Sequence, residues 1–393
     1  MSSSDASEGA VRLTFLEAAS IIAGYGIGGG ILALPWFVSL NGILPSIIVL
    51  VAAYALSLAL HLMIAELTAA DGGRLQIIEL FRKHLFKGKI GAGLTWFFFV
   101  VLGVVFLANL AAYVSGGGEV LATVGLPAPW GAIAFYVAAA AVAIFGLKVL
   151  GIAEKWSVIA MAVLFAGLVA FSAVKLASTG PAVPVQTPSP DATRILALYG
   201  MAMFCFAAFF SIPQAVKGLM DRPKLIGKVV AAGLGINFGI MLVVTTLSLL
   251  LSSEPTAIAT VGWSKALGPI AEIIGAAFVI LAMLTSFWSI SMALSDIVRE
   301  RLGLGRFPAW ILATLPPLAL SLAGLGGFMD FMRTAGGGIA VIVAVLLVPT
   351  YRRSRKGREV AVVLGNRLAS PAWDWVVAIA YVAMAVGSMV SVG

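Results

Sequence analysis

Apolar stretches of about 20 residues recur along the whole chain, separated by charged residues, prolines or glycines. A helix of about 20 apolar residues crosses the roughly 30 Å hydrocarbon core of a bilayer, whereas a soluble chain of this length would alternate apolar and polar faces. The pattern predicts eleven membrane helices, at 13–38, 43–68, 91–117, 130–149, 156–177, 192–216, 224–252, 266–298, 306–325, 332–351 and 371–391.

Composition supports this interpretation, because 61% of the 393 residues are hydrophobic, only 11% are charged and the mean hydropathy is +1.08. The opening residues, "MSSSDASEGAVR", lack the basic start and short apolar core of a signal peptide, so we expect the first helix to remain in the mature protein. A single cysteine, Cys205, excludes an internal disulfide framework.

The distribution of lysine and arginine predicts the orientation, because short cytoplasmic loops retain positive charge. With a cytoplasmic N-terminus, all but four of the 25 basic residues fall on the cytoplasmic side, the exceptions being Lys175, Arg194, Lys265 and Arg333. We therefore expect an integral protein of a prokaryotic inner membrane with an extracytoplasmic C-terminus. The net charge of +8 follows from this topology and does not indicate a nucleic-acid partner.

A connection rich in Pro, Ser and Thr separates the first five helices from the next five. Five is an odd number, so the two groups must insert with opposite orientations, as in an inverted repeat. The predicted segments are a cytoplasmic tail at 1–12, a first repeat at 13–177, an extracellular linker at 178–191, a second repeat at 192–351, a cytoplasmic basic loop at 352–370 and an eleventh helix at 371–393.

Two helices carry signs of interruption. The first contains "GYGIGGGILALP", in which five of the first seven residues are glycine, and each glycine costs a helix about 1 kcal/mol relative to alanine. The sixth contains "MFCFAAFFSIP", with Pro213 at its end. Interrupted helices at matching positions of two repeats are typical of transporters that bind substrate near the bilayer midplane. Amides opening a half-helix can bind a carboxylate and carbonyls ending one can bind an ammonium group, which favours a zwitterionic ligand.

Two other interpretations of the glycines, close helix packing and a dinucleotide site, fit the sequence less well. Gly24-x3-Gly28 and Gly26-x3-Gly30 would suit close helix packing, but packing needs one such stripe and these glycines lie on every side of a turn. Gly24, Gly26 and Gly29 also satisfy the dinucleotide fingerprint. The first acid downstream, Glu66, lies beyond another apolar span, so we reject a dinucleotide site.

Four segments resemble the amino acid/auxin permease family, especially its aromatic and hydroxy amino acid branch, within the amino acid, polyamine and organocation superfamily. They are "AGYGIGGGILALPWF", "HLMIAELTAADGG", "CFAAFFSIPQAVKGLMDRPKLIGKVV" and "LTSFWSISMALSDIV". The resemblance implies an all-α polytopic protein with the leucine-transporter fold, in which a five-plus-five inverted repeat has helices 1 and 6 unwound and one helix is added. It also implies cation-coupled uptake of amino acids.

The resemblance places the substrate at the two unwound segments. Amides of Gly28, Gly29 and Gly30 would meet the carboxylate. The other implied substrate residues are Ala23, Tyr25, Gly26, Cys205, Phe206, Ala207 and Phe209. Tyr25 is larger than the family's usual residue there and would narrow or gate the pocket. For the phenylalanines at 206, 209 and 210, plain packing is the alternative.

Asn109 and Tyr113 on helix 3 are four residues apart, share a face and could reach the ligand. An interhelical hydrogen bond is the alternative for this pair.

The coupling ion is open between sodium and a proton. The resemblance places sodium between carbonyls of Gly24 and Ile27 and hydroxyls of Thr285 and Ser286, although such hydroxyls commonly bond to their own helix. Some relatives couple protons through a lysine on helix 5, but alignment from "GIAEKW" puts Met161 there. Ionisable residues inside a bilayer are functional candidates. The proton candidates are His61, Glu66 and Asp296. The alternatives are a neutral, hydrogen-bonded histidine and, for the two carboxylates, partial solvation or pairing with the loop arginines.

These features predict a secondary active transporter that carries a neutral amino acid with H⁺ or Na⁺ by alternating access, as a monomer in a lipid bilayer. Two histidines and one cysteine form no catalytic constellation, so we expect neither an enzyme, a cofactor nor a metal beyond Na⁺. A channel would need a symmetric assembly or a continuous polar path. A channel and an amino acid sensor of the same fold are the alternatives.

Overall fold

The computed structural model describes residues 11–182, 191–252, 256, 259–326, 345–355, 363–364 and 370–390, and the regular elements in these ranges are all helical. The α-helices are α1 (Phe15–Gly26), α2 (Gly29–Asn41), α3 (Ile43–Ala70), α4 (Ile77–His84), α5 (Gly88–Thr123), α6 (Trp130–Ile144), α7 (Leu147–Thr179), α8 (Ala192–Cys205), α9 (Ser211–Lys217), α10 (Ile226–Leu251), α11 (Ala259–Leu267), α12 (Pro269–Leu302), α13 (Arg306–Leu322), α14 (345–355) and α15 (Pro371–Met389).

The predicted interruptions of helices 1 and 6 are confirmed, since each predicted helix is a pair, α1 with α2 and α8 with α9. The axis turns by 61° between Phe15–Gly26 and Gly30–Asn41. The tenth predicted helix, 332–351, lies mostly outside the described residues, and α14 covers its end. Two short helices, α4 and α11, were not predicted.

Six of the described helices are long and apolar enough to cross a membrane, and α1 with α2 adds a seventh if the bent pair counts as one span. The six correspond to α3, α5, α7, α10 with its preceding turn, α12 and α15. Two further apolar helices, α6 and α8, are shorter. The predicted start of helix 5 at 156 is wrong, because α7 begins at Leu147 and so includes Glu154.

One end of the bundle holds α1, α7 and α9 together, and we call it the basic end because lysines and arginines concentrate in its loops. The Leu13 N–H donates to the Gly218 carbonyl at 2.9 Å, and the Arg222 guanidinium donates to the Leu13 carbonyl at 2.5 Å. Lys148 on α7 pairs with Glu17 on α1 at 2.6 Å. These contacts fix the start of α1 against α7 and against the segment that follows α9.

The added helix, α15, packs directly on the half-helix α8. Gly200 and Gly387 let the two backbones approach so closely that a Cβ on Gly387 would overlap the Leu196 carbonyl. The Tyr199 hydroxyl also donates to the Ala380 carbonyl at 3.0 Å. A half-helix has few hydrogen bonds of its own, so α15 helps to hold α8 in place.

Candidate functional site

The break in the first span lies between Gly26, where α1 ends, and Gly29, where α2 begins. The Ile27 N–H donates to the Ala23 carbonyl at 2.9 Å, as in a helix, but the Gly28 N–H turns back to the Gly26 carbonyl at 3.0 Å. Because the first N–H groups of a helix have no partner within it, the amides of Gly29 and Gly30 open α2 as candidate donors. Of the three predicted carboxylate-binding amides, that of Gly28 is therefore engaged within the break.

The break in the sixth span is held by polar side chains from two other helices. Asn237 on α10 donates its amide to the Cys205 carbonyl at 2.5 Å. The His61 ring on α3 lies 3.0 Å from the Ala208 N–H through Nε2 and 2.6 Å from the Ser57 carbonyl through Nδ1. An N–H can only donate and a carbonyl can only accept, so this geometry requires a neutral ring with its proton on Nδ1. The predicted alternative of a neutral, hydrogen-bonded His61 fits this arrangement.

The two breaks face each other. A Cβ on Gly26 would lie 3.0 Å from the Cys205 carbonyl and would overlap the Asn237 amide. A Cβ on Gly30 would lie 3.1 Å from the Cys205 sulfur. The structure thus brings together the predicted substrate residues at 26, 30 and 205.

One face of α5 completes this region. The ring centroids of Phe106 and Phe210 are 4.5 Å apart, so this face contacts the sixth-span break. The Tyr113 hydroxyl lies 3.4 Å from where a Cβ on Gly28 would be, so it also contacts the first-span break. Asn109 lies between them on the same face, is 8% exposed, and its Oδ1 has no hydrogen-bond partner within the described residues.

The predicted aromatic residues differ in their surroundings. The Phe209 ring stacks on His61 with centroids 5.1 Å apart and contacts Tyr381 at 5.7 Å. The Phe206 ring contacts Tyr54 at 5.8 Å and a phenylalanine of α10 at 6.0 Å. These contacts fit the alternative of packing against α3, α10 and α15.

Tyr25 is buried at the end of α1. The Ala207 N–H donates to the Phe204 carbonyl at 3.0 Å and so belongs to the turn that ends α8.

The four predicted coupling-ion residues are in contact. The Thr285 hydroxyl donates to the Gly24 carbonyl at 3.2 Å and to the carbonyl of Ala282, on its own helix, at 3.0 Å. The Ser286 hydroxyl lies 3.3 Å from the Gly24 carbonyl and 3.2 Å from that of Ile27. Two hydroxyls of α12 therefore face the carbonyls that end α1.

The two predicted acidic proton candidates lie near helix ends at the basic end. Glu66 accepts the N–H groups of Val363 and Leu364 at 2.6 and 2.9 Å. Asp296 lies 3.7 Å from Arg299 and accepts from the Gln76 amide at 3.4 Å. Asp296 fits the predicted alternative of pairing with an arginine, whereas the described partners of the buried Glu66 are backbone amides.

Sequence reasoning missed Asn237 and Glu154. Asn237 is the one amide side chain in α10, and that was the available signal. Glu154 is fully buried on α7 and accepts the Ser289 hydroxyl at 2.7 Å. An acidic residue inside a membrane span would have been a signal of function. The predicted helix began at 156, so Glu154 was placed in the preceding loop. The described residues contain no cluster of three His, Cys, Asp or Glu suited to a metal ion.

Comparisons with known proteins give a family and a fold. Residues 12–385 match the tryptophan/tyrosine permease family, and no curated protein sequence matches at a significant level. The structure is similar to that of MhsT in complex with L-phenylalanine, with a TM-score of 0.64 and 14% identity over 97% of this chain and 100% of that one.

It is also similar to Mhp1, a nucleobase-cation-symport-1 family transporter, in a closed conformation with bromovinylhydantoin bound. The TM-score is 0.62 and the identity 12%, over 97% of this chain and 91% of that one. At these identities the similarity establishes the fold, and it confirms the predicted leucine-transporter fold.

Proposed function

We propose, on the premise that the chain belongs to the tryptophan/tyrosine permease family, that it carries an aromatic amino acid across the membrane together with a cation by alternating access. Membership of a permease family makes the chain a transporter rather than an enzyme. The observation that carries the proposal is the broken first span, whose glycines at 26 and 30 lie against Cys205 of the broken sixth span and whose second half-helix opens with the amides of Gly29 and Gly30.

The break suits the zwitterionic end of an amino acid. The amides of Gly29 and Gly30 lie at the N-terminus of α2, where the helix dipole favours an anion, so they can hold the carboxylate. The carbonyls ending α1 and α8 lie at negative helix ends, which favour the ammonium group. A backbone site of this kind needs no charged side chain at membrane depth.

The face of α5 suits an aromatic side chain that carries a hydrogen-bond donor. The rings of Phe106 and Phe210 offer an apolar wall, and Asn109 offers a buried oxygen that has no hydrogen-bond partner in the described part of the chain. The indole N–H of tryptophan and the hydroxyl of tyrosine can donate to it, whereas phenylalanine cannot. A buried acceptor left unpaired costs about 1–3 kcal/mol, so the site should prefer tryptophan or tyrosine to phenylalanine by about tenfold or more.

We also propose an orientation in the membrane, a division into two repeats and a monomeric functional unit. The positive-inside distribution supports a cytoplasmic basic end and an extracytoplasmic C-terminus in a prokaryotic inner membrane. The segments predicted at 13–177 and 192–351 would form the two inverted repeats. One five-plus-five unit holds both breaks, which supports a monomeric functional unit, and the quoted segments support the wider amino acid/auxin permease assignment.

Transport by purified protein in proteoliposomes tests the proposal. We expect counterflow of radiolabelled L-tryptophan or L-tyrosine that unlabelled substrate saturates, weak competition by L-phenylalanine, and accumulation only under an inward proton or sodium gradient. Flux that does not saturate and is independent of gradients would indicate a channel. Saturable binding without counterflow would indicate a sensor.

A further inference from the structure

A buried carboxylate that the substrate site does not use lies directly against the first broken span. Glu154 on α7 is fully buried. Its Oε1 accepts the hydroxyl of Ser289 at 2.7 Å, whereas its Oε2 has no hydrogen-bond partner within the described residues. The carboxylate occupies the space that a Cβ would take at Gly24, and Thr285 borders the same space.

The helices packed against α7 bring no cation to this carboxylate in the described ranges. On α1, Glu17 is paired with Lys148 at the basic end, and the other titratable side chain is the buried phenol of Tyr25. The charged residue of α10 is Lys228, in its first turn, and Tyr136 of α6 lies 3.4 Å from the Thr314 hydroxyl. The neighbouring Lys155 lies over the Trp156 ring at 5.0 Å. The other charged residues of α7 and α12 lie towards the helix ends: Lys175, Glu272, Asp296, Arg299, Glu300 and Arg301.

An ionised carboxylate cannot stay buried without a compensating charge, because its desolvation costs several kcal/mol. A metal ion would need several oxygen ligands at once, as hard cations do. The space that a Cβ on Gly24 would take is bordered, besides the Glu154 carboxylate, by the Thr285 Cβ, a carbon that cannot ligate a metal. Protonation of the carboxylate removes its charge and, unlike a metal ion, requires no further oxygen ligands.

We propose that Glu154 carries the coupling proton of this transporter, an assignment that rests on the proposed cation-coupled function. Glu154 binds a proton from water on one side of the membrane, which forms the neutral acid held against Gly24 in this conformation. When α1 moves about the break and exposes Glu154, the O–H bond breaks and the proton leaves to water on the other side. One proton crosses in each cycle, and no oxidant or reductant is needed.

Coupling follows from the geometry because the proton and the substrate act on the same span. The carboxylate packs against α1 at Gly24, and the substrate amides at Gly29 and Gly30 begin α2 on the other side of the 61° turn. Protonation of Glu154 permits α1 to pack against α7. The two half-helices then have the arrangement in which the amides of Gly29 and Gly30 can bind the carboxylate of the substrate. An ionised Glu154 disfavours the same arrangement.

The test measures counterflow and gradient-driven accumulation separately, with L-tryptophan and L-tyrosine as probes in proteoliposomes. Wild type is expected to accumulate substrate under an inward pH gradient and not under a sodium gradient alone. The Glu154→Gln variant keeps a neutral side chain of the same shape, so we expect counterflow above that of empty vesicles but accumulation reduced to the equilibrium level. Glu154→Asp keeps a carboxylate and should retain pH-driven accumulation at a lower rate.

A second pair of variants keeps the proposal falsifiable if Glu154→Gln does not fold. Ser289→Ala removes the hydrogen bond donated to Oε1, which favours the ionised form, so the pH midpoint of accumulation should move to higher pH. Ser291→Ala removes a buried hydroxyl that donates to the Trp288 carbonyl on the same helix, and its midpoint should equal that of wild type.

Two results would overturn the assignment: pH-driven accumulation by Glu154→Gln equal to that of wild type, or accumulation by wild type that follows only the sodium gradient. An unchanged midpoint in Ser289→Ala would count against it as well. The absence of tryptophan and tyrosine counterflow in wild type would instead contradict the proposed function itself.

Discussion

Replacing His61 separates a role in holding the sixth-span break from a role in carrying protons. The ring accepts the Ala208 N–H at 3.0 Å, and it stacks on Phe209. In His61→Leu the buried N–H loses its acceptor, which costs about 1–3 kcal/mol, and the ring pair is lost, which costs about 0.5–1.5 kcal/mol more. We therefore expect the variant to be destabilised by about 1.5–4.5 kcal/mol.

The matched variant is His61→Gln, whose amide can donate to the Ser57 carbonyl and accept the Ala208 N–H but cannot carry a proton. We expect it to unfold closer to wild type than His61→Leu in detergent, followed by tryptophan fluorescence, and to accumulate substrate under a pH gradient. Phe209→Leu keeps the histidine and removes the stacking on it together with the ring contact to Tyr381. The reasoning is refuted if His61→Gln is folded and shows counterflow but has lost pH-driven accumulation, or if His61→Leu is as stable as wild type.

Three further outcomes are expected. Asn109→Leu removes the buried acceptor, so the preference of counterflow for tryptophan over phenylalanine should fall by about tenfold; an unchanged ratio would separate Asn109 from the substrate. Gly387→Leu should separate α15 from α8 and lower the unfolding temperature, whereas a stable variant would contradict that packing. Burial raises the pKa of Asp71, but hydrogen bonds from Lys83 and His84 outweigh it and lower that pKa from 3.8. A lowered folded-state pKa stabilises above pH 3.8, so wild type should lose stability as the pH falls below that value, and Asp71→Asn should lose less over this window.

The break in the first span could be predicted from the sequence because its cause is local. Five glycines within seven residues weaken a helix at that place whatever surrounds it. The contacts among Gly24, Ile27, Thr285 and Ser286 also agree with the residues that the resemblance implied for the coupling ion.

The environment of Glu154 could not be predicted in the same way because it depends on a distant partner. Lys148 and Lys155 gave the start of α7 the composition of a loop, but Lys148 is neutralised by Glu17, 131 residues away. That pair allows the helix to begin at Leu147, and Glu154 then lies inside it. Only the assembled fold places its carboxylate against Gly24.

The sequence also could not predict which way the phenylalanine side chains of the sixth-span break point. Residues 206–210 lie outside α8 and α9, so helical periodicity does not relate their side chains. His61 and Asn237 fix the path of this segment from other helices, and Phe209 then stacks on His61.

Competition by truncated ligands tests most directly whether the amides of the first break bind the substrate. Tryptamine lacks the carboxylate of L-tryptophan, and indole-3-propionate lacks its ammonium group, while both keep the indole. Displacement of bound radiolabelled L-tryptophan from the purified protein should require at least about a hundredfold more of either compound, since each forfeits a charge-assisted interaction of about 1.5–3 kcal/mol and leaves helix-end groups unpaired. Displacement by tryptamine at the same concentration as L-tryptophan would show that the amides of Gly29 and Gly30 do not hold the carboxylate.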